Sequence, residues 1–325
     1  MRRRRGRLDA VAGDAAGEFE THRTRLFGLA YRLLGSAEEA EDVVQDAFLR
    51  WGGADRSTIT TPSAWLAKVV INLSLNRLTS AHARRERYVG PWLPEPVLTS
   101  EGALGPMELA EQCESVSLGL LVLMEQLTPS ERAVFILREA FDYSHREVGE
   151  LVGVSEANSR QLHHRARQHV HRRRAGRGER VEPSGAQRRR WQGLVDRFLR
   201  AAQDGDLAGL EELLSAEVTA WADGGGAATA ARRPVVGRAR VARYLIGAIG
   251  KFGAGAGAGV RVERAEINGC PSLLGWSDAV LLGVLVPEVE GDRVVAVHII
   301  ANPDKLRFAA RQAAGLSRSG GPPGS

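Results

Sequence analysis

Cysteine is almost missing from this chain of 325 residues: only Cys113 and Cys270 occur, with no CxxC and no close Cys/His spacing. That excludes a disulfide framework and a structural zinc site, and it suits a reducing compartment. Long apolar runs are missing too. The longest purely aliphatic stretch lies near 279–286, and the arginines of Met1–Arg7 are not followed by a secretory apolar core. The expectation is a soluble cytoplasmic protein with no membrane contact. Lysine is scarce, so the formal net charge of +5 is carried almost wholly by arginine, clustered in Arg2–Arg7, Arg84–Arg87 and Arg160–Arg190. Such clusters suit a polyanionic partner, although the N-terminal arginines lack apolar periodicity and read equally as a solvated tail. The length implies more than one domain, each burying its own core.

Helical spacing is present from Phe19 to Leu34, with apolar residues at Phe19, Leu26, Phe27, Ala30, Leu33 and Leu34. Ser36 with Glu39 makes a capping box for a second helix whose stripe is Ala40, Val43, Val44, Ala47, Phe48 and Trp51. Glu38, Asp42 and Asp46 line its other side. Thr61 and Pro62 start a third helix running to about Ala83. On it Leu66, Val69, Val70 and Leu73 can enter a core, while Trp65, Lys68, Asn72 and Asn76 form a separate stripe. An aromatic beside carboxamides suits exposed bases: an Asn bonds a base edge bidentately, and stacking contributes roughly 1–3 kcal/mol per base. The plainer reading is a core tryptophan with surface asparagines.

Pro91, Pro94, Pro96 and Pro106 then mark a linker, followed from near Met107 by a second helical unit. Thr128-Pro129-Ser130-Glu131 and Ser144 with Glu147 are two further capping boxes; Gly153 permits a tight turn and Ser155 caps a last helix to about Val170. This is a helix-turn-helix pattern. Arg160, Gln161, His164 and Arg165 take the outward positions of its second helix and are the candidates for base and phosphate contacts. His163 and His164 diverge in direction with no third ligand near, so no metal is expected.

After an arginine-rich second linker the pattern changes. Helical stretches at Trp191–Ala202 and Leu207–Leu214 give way to β-branched runs at Glu217–Trp221, Val260–Ile267 and Val294–Ile300, an α+β mixture. Gly253–Gly259 reads as a Gly/Ala loop. Asp223, Asp278 and His298 are the only acid–base groups of interest, and nothing places them together. The Gly224–Gly226 run lacks a following Lys-Ser/Thr and is no phosphate loop.

Ala40–Trp51 (AEDVVQDAFLRW) and Trp65–Arg77 (WLAKVVINLSLNR) closely resemble region 2 of bacterial extracytoplasmic-function (group IV) RNA polymerase sigma factors, and Tyr143–Val170 resembles their region 4. Tyr88–Pro96 (YVGPWLPEP), Asp223–Gly226 and Asn302–Leu306 (NPDKL) resemble markers of the SigJ-like subgroup, which carries a fused SnoaL-like domain of the NTF2-like superfamily. One departure is Ala227, where that subgroup commonly has lysine.

The resemblance implies a multidomain fold: two all-α sigma domains, namely a region 2 helical bundle and a region 4 helix-turn-helix, followed by an α+β SnoaL/NTF2-like cone domain. The implied boundaries are a disordered basic N-terminus (1–17), region 2 (18–84), a flexible linker (85–106), region 4 (107–172), a second linker (173–189), the SnoaL-like domain (190–308) and a dispensable disordered tail (309–325). It further implies a transcription initiation factor, not an enzyme, with core RNA polymerase and promoter DNA as partners. Asp42, Gln45, Asp46 and Phe48 would dock on the β′ clamp helices, and the β flap is the expected partner of region 4. Trp65, Lys68, Asn72 and Asn76 would open and read the −10 element, and Arg160, Gln161, His164 and Arg165 the −35 element. Trp92, Leu93, Pro94, Asp223, Gly224, Gly225, Gly226, Asn302, Pro303, Asp304, Lys305 and Leu306 would be regulatory. No cofactor is expected, and a small-molecule ligand of the SnoaL-like domain is left open. The alternative is a DNA-targeted small-molecule-binding protein or enzyme.

Overall fold

A computed structural model describes residues 2–85, 88–99, 117–174, 185–228, 230–254 and 260–319. Within it the chain divides into two compact units, residues 1–84 with 123–173, and residues 85–122 with 174–325. The Pro-rich linker therefore counts with the C-terminal unit. The expected start of the second helical unit near Met107 lies outside the described residues.

The first unit is all helical. Helix α1 (Arg2–Leu34) packs on α2 (Ala37–Gly53), which Ser36 starts by accepting the Glu39 amide at 3.1 Å; α3 (Pro62–Arg85) follows a short 3-10 turn. Helix α1 begins at Arg2, so residues 2–17 of the expected disordered segment are helical. Arg and Ala dominate there and no proline interrupts. Leu66, Val70, Ile71, Ser74 and Leu78 form the buried stripe of α3, while Val69 and Leu73, expected in the core, are only half-buried.

A four-residue linker of chain after α4 (Leu118–Met124) leads to α5 (Pro129–Glu139), then α6 (His145–Val152) and α7 (Glu156–Arg174). Both Thr128/Glu131 and Ser144/Glu147 form reciprocal capping boxes, and Gly153 closes α6 in the left-handed region (φ 79°). Hydrogen bonds from Ser144 hold the Glu147 carboxyl below its usual range. The two helical segments are joined at Arg132, whose side chain is 2% exposed: Nε and Nη2 donate to the Arg32 carbonyl at 3.1 and 3.0 Å, and Nη1 pairs with Glu125. That carbonyl belongs to the last turn of α1, where no intrahelical donor exists, so a buried cation satisfies it and suits the helix C-terminus.

The second unit is α+β. Helices α8 (Gly185–Gln203) and α9 (Leu207–Leu213) lead into β1 (Leu214–Asp223), β2 (Val235–Val236), α10 (Arg238–Ala254), β3 (Arg261–Ile267), β4 (Cys270–Ser277), β5 (Val280–Glu290), β6 (Arg293–Ile300) and α11 (Pro303–Ser319). The sheet runs β2-β1-β6-β5-β4-β3, with β1 and β6 parallel and every other pair antiparallel. Asn268-Gly269, both at positive φ (52° and 71°), is the two-residue turn that fixes the β3–β4 register.

Alternation along the strands gives the sheet two apolar faces. One takes Phe198, Leu210, Val241 and Leu245 of α8, α9 and α10 against Val218, Ala220, Leu273 and Val297. The other buries Leu274, Val284, Val286 and Ile300 under Leu93 and Leu98 of the linker, Leu118 of α4, and Leu306 and Ala309 of α11. Helix α11 runs to Ser319, so residues 309–319 are not the expected tail: Ala310, Ala313 and Leu316 continue the buried stripe begun by Leu306.

Candidate functional sites

On α7 the stripe Leu162, Ala166 and Val170 is buried, which turns Arg160, Gln161, His164 and Arg165 outward together. Arg160 pairs with Glu156 one turn back and Arg165 lies 3.5 Å from Glu131 of α5, so both cations stay exposed with their charge oriented. His163 turns the other way and bonds Glu139 at 2.7 Å, which lowers the Glu139 carboxyl below its usual range. No group of three or more metal-ligating side chains occurs among the described residues.

On α3, Lys68, Asn72 and Asn76 share an exposed stripe. Trp65 is half-buried, its ring 5.7 Å from Trp51, so part of its stacking surface is already used. Asp42 and Asp46 of α2 do not simply face solvent: Arg77 of α3 reaches them at 3.4 and 3.0 Å, and also donates to the Glu39 carbonyl at 3.2 Å. They tie α2 to α3; beside them Gln45 and Leu49 are exposed, Leu49 at 65%, while Phe48 is partly used, its ring edge-on to Phe19 at 5.1 Å. Sequence reasoning passed over Leu49, although an apolar residue beside the stripe was its signal.

The densest polar cluster lies in the second unit around Asp223, whose side chain is wholly buried. Its Oδ1 accepts from Tyr88 Oη at 2.5 Å and the Gly225 amide at 3.1 Å; its Oδ2 accepts from the Leu93 amide at 2.8 Å and Lys305 Nζ at 2.6 Å. Lys305 Nζ also donates to the Leu93 carbonyl and sits 3.9 Å above the centre of the Trp92 ring. Asn302 Nδ2 donates to Tyr88 Oη at 2.7 Å, while its Oδ1 accepts the Asp304 amide at 3.1 Å. Burial, then the bond to Asp223, pushes the Tyr88 hydroxyl well above its ordinary range.

Six of the expected regulatory residues, Trp92, Leu93, Asp223, Gly225, Asn302 and Lys305, thus converge with Tyr88. Pro94 and Leu306 are buried beside them, Gly224 is buried with them, and Pro303, Asp304 and Gly226 are exposed. Gly225 has φ 60°, and a Cβ there would strike Asn302. Ala227 is exposed; the buried cation of the cluster is Lys305.

Further along, the linker is held against the end of β3, with Leu98 bridging Ile267, rather than running as a flexible tether. Val97 exchanges bonds with Asn268 (2.9 and 3.2 Å), Leu98 with the Gln312 side chain (2.9 and 3.3 Å), and Thr99 donates to the Glu266 carbonyl at 2.9 Å. Pro94 and Pro96, just before this stretch, supply no amide that would go unpaired. Asn268 and Gln312 were not anticipated.

His298 and Glu288 form a second buried pair, 2.7 Å apart, with the His298 ring stacked on Trp221 at 5.2 Å. Asp278 lies in the exposed β4–β5 turn. With Asp223 bound by Lys305 and His298 by Glu288, the three acid–base candidates do not assemble into one site. No helix among the described residues is long and apolar enough to cross a membrane.

Two all-helical DNA-binding segments in this order, with an exposed amide stripe on one and a capped helix-turn-helix on the other, define a promoter-binding protein class. The family models agree: sigma-70 region 2 matches residues 19–85 and sigma-70 region 4 matches residues 117–170. ECF RNA polymerase sigma factor SigJ of Mycobacterium tuberculosis is 37% identical over 295 residues, 89% of this chain and 92% of that protein. A probable ECF RNA polymerase sigma factor SigI of the same species is 32% identical over 89% of this chain and 93% of its own. The crystal structure of M. tuberculosis SigJ superposes with a TM-score of 0.71 at 34% identity, covering 90% of this chain and 98% of that one. The chain belongs to the ECF RNA polymerase sigma factors: it binds RNA polymerase and initiates transcription at specific promoters, and behind its helical sigma domains it carries an α+β SnoaL-like unit.

Proposed function

We propose that the SnoaL-like unit sets sigma activity in cis by holding the segment that joins the two promoter-binding halves. The observation that carries this reading is the Asp223 cluster, in which one buried carboxylate takes donors from the linker (Tyr88, Leu93), from α11 (Lys305) and from its own loop (Gly225). Promoter binding needs one spacing between −35 and −10, and a linker pinned along 88–99 limits the spacings available. A tethered domain acts at high effective concentration, so this bias needs no second protein.

Within the sigma part, Arg160, Gln161, His164 and Arg165 enter the −35 major groove, and Lys68, Asn72 and Asn76, with the open face of Trp65, take the −10 bases. Gln45, Phe48 and Leu49 supply the polymerase-docking surface, with Asp42 and Asp46 at its edge beside Arg77. The protein acts in the cytoplasm, where polymerase and promoter are, and its SnoaL-like unit takes a small-molecule ligand.

Run-off transcription with core polymerase tests the cis reading. A chain ending near residue 190 leaves Leu93, Leu98 and Leu118 uncovered and should change output severalfold. A chain ending at Phe308 loses Gln312, which bonds Leu98 of the linker, and Leu316, which packs on the same apolar cluster, so it too should change output, contrary to what a dispensable tail implies. Output from both shortened chains equal to full length, with core affinity intact, would remove the regulatory role.

A further inference from the structure

The sheet face opposite the linker holds a cavity of about 340 Å³ between α8, α10 and strands β3 to β6. Its floor contains a direct Gly275–Gly283 pair across β4 and β5, flanked by the Leu273–Leu285 pair. Strands disfavour glycine, which normally marks a bulge, a positive φ or a close approach. Neither glycine has positive φ, and the pair adjoins a β-bulge at Leu282, where the β4–β5 register shifts. A Cβ on Gly275 would meet nothing nearer than 3.8 Å, and on Gly283 nothing nearer than 3.4 Å. A Cβ would fit at either position, and its absence leaves the floor of the cavity open. The walls are Leu199, Ala202, Leu245 and Ile299, and no lining residue carries a charge; Gln203, exposed at the edge, is the sole polar side chain.

We propose that this cavity binds an uncharged, largely hydrocarbon small molecule, on the order of a dozen carbon atoms at interior packing density, whose one polar group faces Gln203. The proposal rests on the reading that the SnoaL-like unit takes a ligand, and it names the class. The volume lies within the ordinary range of ligand pockets, and a polar group at the rim gives orientation. A carboxylate or phosphate drawn inside would lose its water with no cation to replace it, so an uncharged ligand is favoured over a charged amphiphile.

The test titrates the full-length protein with N-phenyl-1-naphthylamine, an uncharged fluorophore, and competes it with 1-decanol or decanoate at pH 7.5. Saturable binding of one fluorophore per chain is expected, with 1-decanol displacing it at least tenfold more effectively than decanoate. Gly283→Leu should weaken fluorophore binding at least tenfold; Ala202→Leu fills the space from the helix side and serves where the strand variant fails to fold. Binding that does not saturate, decanoate competing as well as 1-decanol, or folded filled variants binding as wild type would each overturn the proposal. Run-off transcription by the wild-type sample separates the two readings: no fluorophore binding with transcription intact rejects the ligand alone, and binding without transcription rejects the sigma surfaces alone.

Discussion

Lys305 Nζ and Asp223 Oδ2 lie 2.6 Å apart with both side chains out of water, joining positions 82 residues apart in the chain. Neither charge is tolerable there alone. Removing one partner of a buried pair typically costs about 3–5 kcal/mol, whereas replacing both by apolar groups of similar volume is often neutral. Lys305→Met and Asp223→Leu should each lower urea-unfolding stability by that order, and the double variant by less than the sum. Additive losses across the cycle would show that the two charges are not coupled.

Tyr88 makes the same cluster sensitive to alkali. Its hydroxyl titrates well above the ordinary 10 when folded, so its contribution is present below pH 10 and is lost as pH rises towards the raised folded value. The Tm difference between wild type and Tyr88→Phe should therefore be constant from pH 7 to 9 and shrink above 10. A difference that grows with alkali would reverse the sign of this linkage.

How much of this was legible beforehand differs by element. The caps at Thr128, Ser144 and Gly153 were readable because capping chemistry is local. Asn268-Gly269 was equally local and went unread, and with it the β3–β4 hairpin. Helix α10 was hidden because Gly247, Gly250 and Gly253 interrupt its stripe of Val241, Ala242 and Leu245. The Asp223 cluster is a different case. Resemblance singled out residues on both sides, but no spacing rule links Tyr88 or Leu93 to Asp223 and Lys305, because the pairing exists only once β1 and α11 are side by side.

The exposed cations of α7 give a prediction about DNA. Arg160→Ala and Arg165→Ala should weaken −35 binding; a lost phosphate contact should reduce the salt slope by ~1, and a lost base contact should relax sequence preference at one position. Asn72→Ala should leave −35 binding unchanged and impair −10 opening, read by permanganate footprinting. Full melting by the Asn72 variant would take that residue out of the site.

The most direct measurement on the central claim is run-off transcription by Lys305→Met beside wild type, at matched occupancy of core polymerase. The substitution leaves the sigma helices untouched and strips the cation that bonds both Asp223 and the Leu93 carbonyl. If holding the linker sets activity, output should change at least fivefold, while limited proteolysis shows residues 88–99 newly exposed. Unchanged output from a chain whose linker is demonstrably released would contradict the account.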